Sequence, residues 1–157
     1  MQSTQLKELN KRSGIENEKR LVNRYKFFEE LISELNKKEI PSEIVDSINK
    51  EIDETNSFSG SNKDLLKLLK KKQASILELI AKELKLVLKN HYRNKWMAIG
   101  IGAFGVPFGV AFGASLGNMA FIGIGIPIGM AIGIGIGTAK DKEALDNGNQ
   151  LDLEINL

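Results

Sequence analysis

Apolar positions in the first ninety residues recur at three- and four-residue steps, the spacing that gathers them on one face of an α-helix. Leu21, Tyr25, Phe28, Leu31, Ile32 and Leu35 form one such face, and residues 1–40 read as helix with a break near Ser13-Gly14. Pro41 stops that helix, and Pro41-Ser42-Glu43 opens a second through Ile44, Ile48 and Ile52 that ends near Asn56. The polar run from Asn56 to Asn62 reads as a turn, with Asn62 placed to cap a third helix. The stripe of that helix is the longest and comprises Leu66, Leu69, Ile76, Ile80, Leu84 and Val87, with Gln73 and Glu83 interrupting any strict heptad. No stop signal lies between Asn62 and Trp96, so this helix is expected to continue into the apolar segment beyond it. Residues 1–95 therefore predict a cytosolic helical hairpin or loose bundle with a thin core, which packing against other copies would deepen.

The pattern changes at Trp96. From Trp96 to Ala139 there is no charged residue in 44 positions, whereas residues 1–95 carry 20 Lys/Arg and 15 Asp/Glu. That length is about twice the ~20 residues that cross a bilayer. Cutting at Gly117-Asn118 leaves 96–116 and 119–139, each roughly 31 Å long as a helix. The segment thus predicts a transmembrane hairpin over 96–139, followed by a cytosolic tail over 140–157. Arg93 and Lys95 with Lys89 flank its entrance, Lys140 and Lys142 its exit, and the turn is uncharged. The bias of cytosolic loops toward Lys and Arg then places both termini in the cytosol of a multi-pass inner-membrane protein. Tyr92 and Trp96 stand where interfacial aromatic anchors belong, with His91 beside them.

Within this run, 105–117 aligns at an offset of 20 with 125–137 and is identical at six of thirteen positions. Gly105, Gly109, Gly113 and Gly117 make one four-residue ladder, and Gly125, Gly129, Gly133 and Gly137 the other. Small residues at that spacing let helix backbones approach in lipid, where no hydrophobic force pulls helices together. Phe104, Phe108 and Phe112 flank the first ladder and Ile124, Ile128, Ile132 and Ile136 the second. Either the ladders only close the hairpin or leftover grooves join copies into a homo-oligomer, the reading preferred from sequence. Pro107 and Pro127 sit near mid-span, each withholding a helical hydrogen bond from the carbonyl four residues back, on Ala103 and Gly123. They predict kinks healed by a neighbouring helix, or hinges. Ile and Gly alternate over 122–129 and 132–137, but the absence of a polar lumen face favours helix over barrel strand. The match of Gly100, Gly102 and Gly105 to a dinucleotide fingerprint lacks a preceding strand and a following acid, and is read as chance.

In the tail, Leu151, Leu153, Ile155 and Leu157 alternate with Asp152, Glu154 and Asn156 across residues 150–157, a strand pattern. It is expected to be disordered, to pair with identical tails, or to add to a partner's sheet. Zero cysteines and one histidine leave no thiolate chemistry and little acid-base chemistry. No nucleophile is paired with a base and no metal-ligand cluster is present, so no catalytic residue, metal or cofactor is assigned and an enzyme is not expected. The densely charged N-terminal thirty residues contain no cleavable signal pattern. The basic excess before the apolar run, nine Lys/Arg from Lys67 to Lys95 against Glu78 and Glu83, reads as a topology signal, with no nucleic-acid partner expected.

The paired glycine ladders with a central proline, followed by Lys140-Asp-Lys-Glu-Ala144 and an acidic-apolar tail, resemble bacterial glycine-zipper family proteins with two membrane helices. The likeness covers residues 96–157 and implies architecture and oligomerisation, with no activity attached. The expected class is thus an all-α membrane protein: a cytosolic bundle, a two-helix glycine-zipper hairpin in lipid, and a strand-like tail. The function expected first is a homo-oligomeric pore or channel gated by the cytosolic helices. The alternatives are a non-conducting anchor or scaffold recruiting a cytosolic protein through the N-terminal helices or the tail, or a toxin-like permeabiliser.

Overall fold

A computed structural model describes residues 5–155; the first four residues of the expected first helix, and Asn156 and Leu157 of the alternating tail, lie outside them. The described chain is helical with irregular connections and contains no strand. It divides into two compact units. One comprises the chain up to Val87 together with the segment beginning at Leu151, and the other is Leu88–Gln150. In chain order, the second is an insertion into the first.

The first unit contains α1 (Lys19–Leu35), α2 (Ser42–Asn56) and α3 (Asn62–Glu83). The stripe on α1 is buried as its spacing predicts, from Leu21 and Phe28 to Leu31 and Leu35, none of which is exposed at all. Pro41 precedes α2 with φ −56° and extended ψ, and the helix buries Val45, Ile48 and Ile52. Ser61, rather than the expected Asn62, caps α3: its Oγ accepts the Asp64 N–H at 3.2 Å. Asn62 is the first helical residue, and its side chain donates to Glu18 Oε1 at 2.8 Å. The buried stripe of α3 runs through Leu65, Leu69, Ile76 and Ile80, while Leu66 and Leu84 are half-buried.

Two polar residues interrupt that stripe and are buried with partners, as desolvated polar groups must be. Gln73 accepts from Arg24 Nη1 at 3.0 Å and donates to the Arg24 carbonyl at 2.8 Å, tying α3 to α1. The Lys72 ammonium meets Glu54 and, at 2.7 Å, the buried Oε2 of Glu51, tying α3 to α2. Burial works against the Lys72 charge, but the two carboxylates prevail and hold its pKa above the ordinary value.

Three expectations are corrected in this unit. The helix expected before Gly14 is instead an irregular strap over 5–18, with Gly14 at φ +82°. Asn49, Asp53 and Asn56 lie along one face of α2 and receive it: Asn49 Oδ1 accepts from the Lys7 N–H at 2.8 Å, Asp53 pairs with the Lys7 ammonium at 2.6 Å, and Asn56 Oδ1 accepts from the Asn10 N–H at 2.8 Å. Leu6, Leu9 and Ile15 are buried as a result. Second, α3 does not run on into the apolar segment. It stops at Glu83, and Lys85 turns the chain at φ +57° so that the Leu86 N–H donates back to the Ile80 carbonyl at 3.1 Å. Consecutive Leu86 and Val87 would point about 100° apart on a helix; leaving the helix buries both.

Third, the described part of the tail is not a strand. The Leu151 N–H donates to the Val87 carbonyl at 2.8 Å, the Asp152 N–H donates to Glu34 Oε2 at 3.3 Å, and Leu151 and Leu153 are buried while Asp152 and Glu154 are exposed. The two-residue alternation is used for one-sided burial without a pairing strand. Strap and tail together supply the thickness that three helices lack, from within one chain.

In the second unit, α4 (His91–Gly100), a π-helical turn (Ile101–Gly105) and α5 (Val106–Ser115) follow one another without a break. A tight turn and one 3-10 turn (Met119–Phe121) lead into α6 (Ile122–Asp146), which packs against α4, the π turn and α5.

Candidate functional site

The hairpin is made by its turn. Gly117 takes φ +65°, a left-handed conformation that a side chain would strain. The Asn118 N–H donates to the Gly113 carbonyl at 3.0 Å, and the Asn118 side chain accepts the Ala120 N–H at 2.9 Å, starting the return helix. Both arms, His91–Ser115 and Met119–Asp146, are long and apolar enough to cross a membrane.

The arms meet glycine to glycine. Gly105, Gly109, Gly113, Gly125, Gly129, Gly133 and Gly137 are all buried between them. A Cβ on Gly109 would come within 2.5 Å of the Ile122 carbonyl oxygen, and one on Gly105 within 3.1 Å of the Gly125 carbonyl oxygen. On the other arm, a Cβ on Gly125, Gly129 or Gly133 would run into the backbone oxygens of Gly105, Gly100 and Trp96 respectively. No rotamer relieves a clash with backbone, so Gly109, Gly125, Gly129, Gly133 and Gly137 are committed to the hairpin's own seam, and Gly105 and Gly113, where the nearest atoms would stand 3.1 and 3.2 Å from a Cβ, fit it tightly. The eighth, Gly117, forms the turn and has open space around it.

Gly100 is a seam residue that the four-residue ladder did not include. It lies five residues before Gly105, a step that would turn it ~140° away from the seam in an α-helix. The π-helical turn removes that mismatch. Its wide loop closes with the Val106 N–H donating to the Ile101 carbonyl and brings Gly100 round to face Gly129 and Gly133. Pro107, which has no N–H to give, immediately follows as the second residue of α5. Pro127 lies inside α6, which continues unbroken past it. The only available sequence signal for the π turn was this five-residue step followed by proline.

The faces opposite the seam are also small. Ala103, Pro107, Ala111 and Ser115 on one arm, and Gly123, Pro127, Ala131 and Gly135 on the other, are exposed. They lie two residues from the ladder glycines, hence about half a turn away. Between the two small faces stand the bulky ridges: Phe108 and Phe112 are 43% and 48% exposed, and Ile124 is 50% exposed. Phe104 and Phe108 stack on each other with centroids 6.4 Å apart. The ridges thus fill no groove within the hairpin.

At the open end, Asp141 closes the two arms together. Its carboxylate accepts from the Tyr92 N–H at 2.9 Å and from the Arg93 N–H at 2.8 Å, satisfying the first turn of α4, whose own preceding residue, Asn90, provides no side-chain cap. Gln150 Nε2 donates to the Asp141 carbonyl at 3.2 Å, and Asp141 is buried. Gly137 lies directly under Tyr92 and Arg93. The Lys140 ammonium stands 5.9 Å from the centre of the Trp96 ring, across the seam. Asp141 was legible only as part of a Lys-Asp-Lys run, because what it caps is 48 residues away.

Of the residues singled out from sequence, the structure gathers Tyr92, Arg93, Trp96 and Lys140 at this foot. Lys95 and Lys142 are exposed on its two helices. Among the described residues no cluster of three His, Asp or Glu is arranged to hold a metal ion. No family model, curated protein or solved structure matches this chain.

Proposed function

We propose that this chain is a membrane-anchored helical domain, in which a self-contained glycine-zipper hairpin, inserted between Val87 and Leu151, holds a small bundle at the bilayer surface. The single observation carrying this reading is the seam. Its glycines pack backbone against backbone within one chain, leaving Phe and Ile ridges outward, the distribution lipid requires. The basic residues flanking both ends of the insertion support the reading that these ends lie at the cytosolic face of an inner membrane. In this reading the bundle is the part that meets a cytosolic partner, and the likeness to glycine-zipper proteins is one of packing.

One observation favours a second reading, a homo-oligomeric pore. The outward faces are small and carry both prolines, and Pro127 leaves the Gly123 carbonyl without its helical donor on an exposed face. Hairpins packed through these faces would supply neighbours that a lone hairpin lacks. The test is to reconstitute the labelled full chain sparsely in vesicles, count photobleaching steps, and follow ion flux. The anchor reading expects single steps and no flux. Multiple steps with flux, both abolished by Ala111→Leu or Ala131→Leu, would replace it with the pore.

A further inference from the structure

The foot of the hairpin is a belt of positive charge. Between residues 88 and 150 the chain carries four basic and three acidic residues besides Lys89, which precedes α4. One of the acids, Asp141, is turned inward and spends its charge on the N–H groups that begin α4. What the foot presents outward is therefore more basic than its sequence suggests. Arg93, Lys95 and Lys142 are exposed, Lys140 is half-buried against Trp96, and none of these four has a carboxylate within ion-pairing distance among the described residues.

Contacts across the seam put these groups at one height. Arg93 is level with Gly137 and Asp141, and Trp96 with Gly133 and Lys140. At ~1.5 Å per residue, 93–96 and 140–142 span a band about 5 Å deep. The headgroup layer on each side of the hydrocarbon is about 5–8 Å deep. Indole and ammonium side by side at that depth match an interface whose inner edge is apolar and whose outer edge carries phosphate.

We propose that this belt binds the phosphate of anionic phospholipids, with Lys95 and Lys142 as its outward contacts and Lys140 held beside Trp96. The proposal rests on the membrane reading above. The inward turn of Asp141 matters because it withdraws a carboxylate that would otherwise repel the same phosphate.

Trp96 is the only tryptophan in the chain, so its fluorescence reports the lipids beside the belt. The full chain is reconstituted in mixed phosphatidylcholine and phosphatidylglycerol vesicles in which one lipid or the other carries bromine near the top of its acyl chains. Brominated phosphatidylglycerol is expected to quench beyond its mole fraction, with local enrichment on the order of fivefold for one basic contact. The excess should fall on adding salt and in the Lys95→Gln, Lys142→Gln double variant, whose changed side chains are exposed and do not alter the seam. Quenching by both lipids in proportion to their share, unchanged in the variant, would overturn the belt and leave the anchor standing. Quenching by neither would overturn the membrane reading, and the belt with it.

Discussion

The two units solve the packing problem in opposite ways. In the bundle, large side chains are inside: Phe28 and Leu21 are 0% exposed. In the hairpin, the interior is backbone and the large side chains face out: Phe112 is 48% exposed and Leu116, at the turn, 60%. Burying a phenylalanine removes apolar surface from water, a gain that vanishes when the surroundings are themselves apolar. In the membrane reading proposed above, what remains as a source of cohesion is close contact, and glycine allows the closest. The same chain therefore uses phenylalanine as core in one unit and as outer surface in the other.

The largest expected effect breaks the hairpin's half of this contrast. Gly129→Leu drives a side chain into the Gly100 and Gly105 backbone and should separate the arms, at a cost above ~3 kcal/mol. Gly135→Leu meets open space and should leave them together. Spin labels on introduced cysteines at positions 104 and 128, in a chain with no cysteine of its own, would distinguish the two variants by distance.

The next prediction exchanges one residue type between the units. Phe28→Ala should cost about 3–5 kcal/mol of bundle stability, and Leu151→Ala about 2–5 kcal/mol, because each opens a cavity in a dry core. Phe112→Ala should cost less than about 1 kcal/mol, its side chain being half exposed. Urea unfolding of the full chain in vesicles, followed by circular dichroism, gives the comparison. An equal effect at Phe28 and Phe112 would contradict the inside-out arrangement.

At the foot, Asp141→Ala removes the carboxylate that accepts from the Tyr92 and Arg93 N–H groups and should cost about 1 kcal/mol. The direct measurement is hydrogen exchange at the Tyr92 and Arg93 amides, expected to speed up about fivefold or more relative to amides in mid-helix.

The smallest effect concerns pH and belongs to the bundle alone. Lys72 holds the Glu54 carboxyl below its ordinary value of 4.5, chiefly through their hydrogen bond. A carboxylate with a lowered folded-state pKa contributes stability above its unfolded value, and that contribution is lost as pH falls through the folded value. The unfolding midpoint should therefore decline as pH drops below the ordinary carboxylate range, with a shallower decline in Lys72→Met. Lys72 has a raised pKa, so its own contribution is lost only in strong alkali. An acid profile identical in the two proteins would remove the ion pair from the account.

Where the sequence reading succeeded, the relevant signal was local. Leu21 through Leu35 and Ile48 with Ile52 are buried where their periods place them, Pro41 precedes α2, and Gly117-Asn118 lies in the turn of the hairpin. Where it missed, the deciding contact was distant in sequence. The strap over 5–18 looked helical until Asn49, Asp53 and Asn56 took its N–H groups and side chain. The alternation of Leu151 and Leu153 suggested a strand because a single face cannot name what will cover it. The break at Lys85 carries no glycine or proline to announce it. Gln73, counted as an interruption of the stripe, is a buried link to Arg24.

By itself, the sequence determined the stripes, the charge-free run and the glycine spacing, all of which follow from residue type and helical period. Only the tertiary structure decided what each glycine faces. A ladder at four-residue spacing is equally suited to its own hairpin or to a neighbour, and the choice depends on how the turn and the π-helical step phase the two arms. It also decided that the tail returns to the bundle and that Asp141 caps α4, since a hydrogen bond between residues 48 apart exists only once the chain between them has folded back.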